Sequence, residues 1–79
     1  MTPEQARNVI DEALSQIAPD ADLGSLAPDA ELRDTLELDS LDFLNLVEFL
    51  SQRTGRRIDE DDYPQLATMA SAVKFLAAR

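Results

Sequence analysis

Seven of the ten residues from Leu41 to Leu50 are large and apolar: Leu41, Phe43, Leu44, Leu46, Val47, Phe49 and Leu50. A helix that lays one face on a core needs a single wide stripe, and Phe43, Leu46, Val47 and Leu50 supply it. Leu41 and Leu44 then fall towards solvent near the helix start. Asp39 is placed to cap this helix and Gly55 to end it in a left-handed turn, which predicts a helix from Ser40 to about Arg53. So apolar a segment has to find its partners within 79 residues that contain no cysteine.

Two further segments carry the same periodicity. Thr2-Pro3-Glu4-Gln5 reads as a helix start, with Thr2 as N-cap, Pro3 at the first helical position and Gln5 closing a capping box. Ala6, Val9, Ile10, Ala13, Leu14 and Ile17 follow on one face, and Pro19 stops the helix. Thr68 caps a last helix whose inner face carries Met69, Ala72, Val73, Leu76 and Ala77. Between them, Asp59-Glu60-Asp61-Asp62 reads as a short helical turn ended by Tyr63-Pro64. Residues 19–38 form a long connection rich in Asp and Pro, and a loop of that length is either functional or pinned, here by Leu23, Leu26, Leu32 and Leu36. Nothing reads as a strand. The expected fold is all-α: a small four-helix bundle of three longer helices and one short one, with a long loop after the first, forming one domain over residues 1–79.

The net charge of −9 excludes nucleic acid as a partner, because phosphate binding needs clustered Lys and Arg. It favours basic protein surfaces. The charge is uneven: residues 1–50 hold twelve acidic and two basic side chains, residues 51–79 four and five. A solvated acidic surface explains the sign but not the asymmetry. The lack of cysteine removes disulfides and thiolate metal sites and gives no sign of secretion. The N-terminus lacks a signal-peptide pattern, and no apolar run approaches the ~18 residues of a membrane span. A soluble, cytoplasmic monomer without membrane insertion is expected.

Ser40 is the residue around which function turns. As a nucleophile it would need a base and an oxyanion hole, yet the chain has no histidine, one lysine (Lys74) and only Gly24 and Gly55 for a tight elbow. No catalytic residue is therefore expected, and an attachment role fits better. Asp59, Glu60, Asp61 and Asp62 are consecutive, fan around a helical turn and lack calcium-loop spacing, so no metal site is expected; acids at a helix start explain them. For Ser40 the plain alternative is a capping pair with Asp39.

With Leu36-Glu37-Leu38-Asp39-Ser40-Leu41-Asp42, then Leu46-Val47, Ile58-Asp59-Glu60-Asp61 and Thr68-Met69, essentially the whole chain resembles a freestanding acyl carrier protein. The resemblance implies a 4′-phosphopantetheine arm on Ser40, taken from coenzyme A by a phosphopantetheinyl transferase, whose thiol carries the acyl group. It implies a recognition patch of Asp39, Leu41, Asp42, Leu44 and Glu48 for acyl-loading and acyl-transferring synthases with basic docking surfaces. It also implies an acyl pocket lined by Phe43, Leu46, Val47, Ile58, Tyr63, Leu66, Ala72, Phe75 and Leu76. Fatty acid, polyketide or related acyl biosynthesis is the implied setting. An aminoacyl or peptidyl carrier of the same fold is the nearest alternative, and a small acidic interaction module the next.

The chain departs from the fatty-acid-synthase pattern at several points. Glu37 stands where a glycine is common, Asn45 where an acid is usual, and Ser51-Gln52-Arg53 with Arg56-Arg57 replace an acidic helix end. Phe43 and Tyr63 occupy positions often held by smaller residues, so a partly filled pocket that favours short, branched or non-sequestered cargo is expected.

Overall fold

Three capped helices carry the architecture: α1 (Pro3–Ile17), α3 (Ser40–Thr54) and α4 (Met69–Ala77), with a one-turn α2 (Leu32–Thr35) between the first two. The structure, a computed structural model, describes residues 1–78. Helix α1 packs against both α3 and α4. Among the described residues no strand forms; a single bridge pairs Glu31 with Thr68. The all-α bundle expected from the sequence is the observed fold. No helix among the described residues is long and apolar enough to cross a membrane.

The caps are those the sequence announces. The Gln5 N–H donates to Thr2 Oγ1 at 3.1 Å while the Thr2 N–H donates to Gln5 Oε1 at 3.0 Å, closing a reciprocal box before α1. Gly55 adopts φ +69°, a conformation open to it because it lacks a Cβ, and ends α3. The apolar faces then meet: Ala6, Ile10, Ala13 and Leu14 of α1, Phe43, Leu46, Val47 and Leu50 of α3, and Met69, Ala72, Phe75 and Leu76 of α4 are all buried in one cluster. Arg53 pairs with Glu12 between α3 and α1. The Arg56 guanidinium donates to the Phe75 carbonyl at 2.8 Å and lies 4.4 Å from that ring's centre, tying the chain beyond α3 to α4.

The connection over residues 19–38 is pinned as expected, and it holds more regular structure than the sequence announces. It holds a 3₁₀ turn at Leu23–Ser25 and the helix α2, and its leucines pin it: Leu26, Leu32 and Leu38 are buried, and Leu23 and Leu36 pack against the core. The Leu32 N–H donates to the Ala67 carbonyl at 2.8 Å, binding this segment to the chain just before α4. Helix α2 ends in a Schellman turn, in which the Leu38 N–H donates to the Arg33 carbonyl at 2.9 Å and Glu37 takes the left-handed position at φ +55°.

The acidic turn is also longer than expected, a 3₁₀ helix spanning Glu60–Leu66 and so running through Tyr63-Pro64. Proline is tolerated because its fixed φ matches 3₁₀ geometry and its missing N–H removes one weak bond from a short ladder. The Pro64 carbonyl still accepts from the Ala67 N–H at 3.3 Å. Asp59 and Asp62 are occupied in capping this turn, the Asp59 N–H donating to Asp62 Oδ2 at 3.1 Å.

Candidate functional site

Ser40 is the first residue of α3 and is exposed. The capping of this helix does not involve its hydroxyl. The Asp42 N–H donates to Asp39 Oδ1 at 2.8 Å, and the Asp39 N–H donates to Asp42 Oδ2 at 3.4 Å. Two carboxylates thus close a reciprocal box around Ser40 and leave its Oγ without a hydrogen-bond partner among the described residues. No histidine or cysteine exists to deprotonate it.

Beside Ser40 opens a cleft of about 360 Å³ lined by Arg33, Ser40, Phe43, Leu44, Tyr63, Pro64 and Ala67. One wall is the start of α3 and the other the 3₁₀ helix with its exit at Ala67. The α2 turn closes the end, held by the hydrogen bond from Leu32 to Ala67. The floor is a ring pair: Phe43 and Tyr63 meet edge to face, with centroids 5.3 Å apart and planes at 78°. The Arg33 guanidinium lies 5.3 Å from the centre of the Phe43 ring.

The residues expected on the recognition patch share the first three turns of α3. Leu41 is 66% exposed and Leu44 48%, the two large apolar side chains most open to solvent on this helix. Asp39, Asp42 and Glu48 border them, with Glu48 near the Gln52 amide at 3.5 Å. Of the expected pocket lining, only Phe43 and Tyr63 line the cleft. Leu46, Val47, Leu66, Ala72, Phe75 and Leu76 are buried in the core, and Ile58 packs against it. Arg33, Pro64 and Ala67 were not foreseen as cleft residues. Arg33 carried a signal, being one of two cations in the acidic half and adjacent to Leu32. The other two were hidden because the helical turn was expected to stop before them.

The acids around α2 interact among themselves. Glu31 is fully exposed, and its carboxyl is pushed above the ordinary value by hydrogen bonding to Asp34 and by repulsion from that neighbouring charge.

The family model described as the phosphopantetheine attachment site matches residues 6–76. The chain belongs to this family of carriers. An acyl carrier protein from Lactobacillus johnsonii is 32% identical over 76 residues, covering 96% of this chain and 94% of its relative. The cofactor of the family is 4′-phosphopantetheine. Residues present here suit such a group: a free, exposed hydroxyl for the phosphoester, and beside it an apolar cleft with one cation at its rim.

Proposed function

We propose that this protein carries acyl intermediates as thioesters on a 4′-phosphopantetheine arm attached to Ser40, for fatty acid, polyketide or related acyl biosynthesis. The observation that carries this reading is the unused Ser40 hydroxyl between two mutually capping aspartates. A serine needed for the cap would be bonded to a backbone N–H; this one is spare. Loading would form a bond from Ser40 Oγ to the pantetheine-side phosphorus of coenzyme A and break that phosphorus's bond to the bridging oxygen, which leaves with adenosine 3′,5′-bisphosphate. The serine proton passes to a base on the transferase, since the neighbouring carboxylates Asp39 and Asp42 are occupied in the capping box.

The arm, when bound, supplies the thiol that holds the acyl group. This chain's part is to present the arm and to be recognised. Leu41 and Leu44 offer apolar contact area, while Asp39, Asp42 and Glu48 attract and orient a basic enzyme surface. The chain is therefore a carrier whose partners perform the chemistry: a phosphopantetheinyl transferase first, then the enzymes that load and remove acyl groups.

The test is intact mass after incubation with a broad-specificity phosphopantetheinyl transferase and coenzyme A. A gain of one phosphopantetheinyl group is expected, and Ser40→Ala should abolish it. No gain in the wild type, or a gain that survives the substitution, would defeat the reading. Offering the holo protein to acyl- and aminoacyl-activating enzymes then separates acyl cargo from aminoacyl cargo.

A further inference from the structure

A phosphodiester on Ser40 would meet an unfavourable setting. It brings a negative charge between Asp39 and Asp42, in the half of the chain with twelve acids and two bases. A helix start ordinarily offers free N–H groups to such an anion. Here the Asp42 N–H is already taken by Asp39, which leaves the N–H groups of Ser40 and Leu41 at the helix start. These carry only partial charge against two flanking carboxylates, so a cationic donor is the stronger complement, and the cleft contains one.

Arg33 lines the same cleft as Ser40. Arg7, Arg53 and Arg57 each pair with a carboxylate, and Arg56 donates to the Phe75 carbonyl. The Arg33 guanidinium has neither an ion pair nor a hydrogen bond among the described residues. Glu31 and Asp34 line a second small hollow with it, yet neither forms an ion pair with Arg33. Its direction is set instead by the Phe43 ring, which Tyr63 holds from the side. Its backbone is fixed as well, because Leu32 is wholly buried and the Arg33 carbonyl accepts from Leu38.

We infer that Arg33 is the counter-ion of the arm: resting on the attachment of the arm at Ser40, its guanidinium binds the phosphodiester and leans the arm into the cleft of Phe43, Leu44, Tyr63, Pro64 and Ala67. Guanidinium suits this role because its planar fork can bond two phosphate oxygens at once and stays charged at any physiological pH. Contact with the Phe43 ring leaves its N–H edge available. The consequence is a resting position for the arm against the protein, released when a partner enzyme competes for the phosphate or for Arg33.

The experiment uses the full chain in apo and holo forms, with intact mass establishing first that the arm is on. A wild type that gains no mass, or an Ser40→Ala variant that does, would end the attachment reading before Arg33 is probed. With the arm on, installing it should move the Arg33 Nε–H resonance and the Tyr63 and Ala67 amides. Adding sodium chloride should shift the wild-type phosphorus resonance towards the position seen in holo Arg33→Gln, whose own resonance should respond far less to salt. In that variant the Tyr63 and Ala67 changes should be largely lost, and Arg33→Lys should restore them in part. An Arg33 Nε–H signal unmoved by the arm would overturn the inference, even if the variants load poorly. So would phosphorus and amide shifts that are the same in wild type and Arg33→Gln.

Discussion

Glu37 sits three residues before Ser40 with φ +55°, at the left-handed position of the turn that ends α2. A side chain there costs about 1–2 kcal/mol relative to the right-handed region, and glycine or asparagine relieves most of it. Glycine returns part of that gain through the greater freedom of the unfolded chain. Glu37→Gly and Glu37→Asn should each stabilise the fold by about 0.5–1 kcal/mol, and the β-branched Glu37→Val should cost at least about 1 kcal/mol. Urea midpoints at constant slope would report the order; a Val variant as stable as wild type removes the argument for strain. The caps at Thr2, Asp39 and Gly55 were legible in sequence because each is a local contract between one side chain and its own helix end. The left-handed turn at Glu37 was not, because glutamate carries no preference for that conformation and only its neighbours impose it. The Asp39–Asp42 box is half legible: the sequence points to Asp39 as the cap, but not to the second bond, which the Asp39 N–H donates to Asp42.

At the level of elements, α1, α3 and α4 were readable because each repeats an apolar face over at least nine residues between recognisable ends. One turn of helix has no period to read. Helix α2 exists through a buried Leu32 and a bond to Ala67, far along the chain, and such partners leave no local trace. Pro64 signals a stop in an α-helix but not in the tighter 3₁₀ form, so the sequence predicts a shorter element than the one at Glu60–Leu66. Both elements build the cleft, so the shape of the candidate site was less legible than its serine. Phe43 and Tyr63 are the cleft residues that also pack on the core, and they stand as the wall between the two. An octanoyl group on the arm should therefore perturb the amides of Leu44 and Ala67 while leaving Leu46, Val47 and Leu66 nearly unchanged. Tyr63→Ala removes one ring of the pair, worth about 0.5–1.5 kcal/mol beyond burial, and should extend the perturbation to those three residues. Large shifts at Leu46, Val47 and Leu66 in the wild type would show that the rings do not bar cargo from the core.

For the molecule as a whole, a radius of gyration of 11.2 Å confines a net charge of −9. Three ion pairs are formed among the described residues, all on exposed side chains, where each contributes little. Self-repulsion among the acids of the first fifty residues is the larger collective effect, and it is screened over about 10 Å at 0.1 M salt. The melting temperature should rise between low and moderate sodium chloride; an unchanged value would count against the repulsion. Glu31 and Asp34 locate part of it. A carboxyl whose value is raised in the folded state holds its proton more tightly there than in the unfolded chain. That stabilising contribution is complete below the unfolded-state value and is lost as pH rises through the folded-state value, so at neutral pH only the repulsion from Asp34 remains. Glu31→Gln should therefore melt higher than the wild type at neutral pH in low salt. The two should converge in moderate salt, and again in acid once Glu31 is protonated in both states. Equal melting temperatures at neutral pH and low salt would show that the exposed pair is already screened by water, leaving the collective field of the helix acids as the source of the salt dependence.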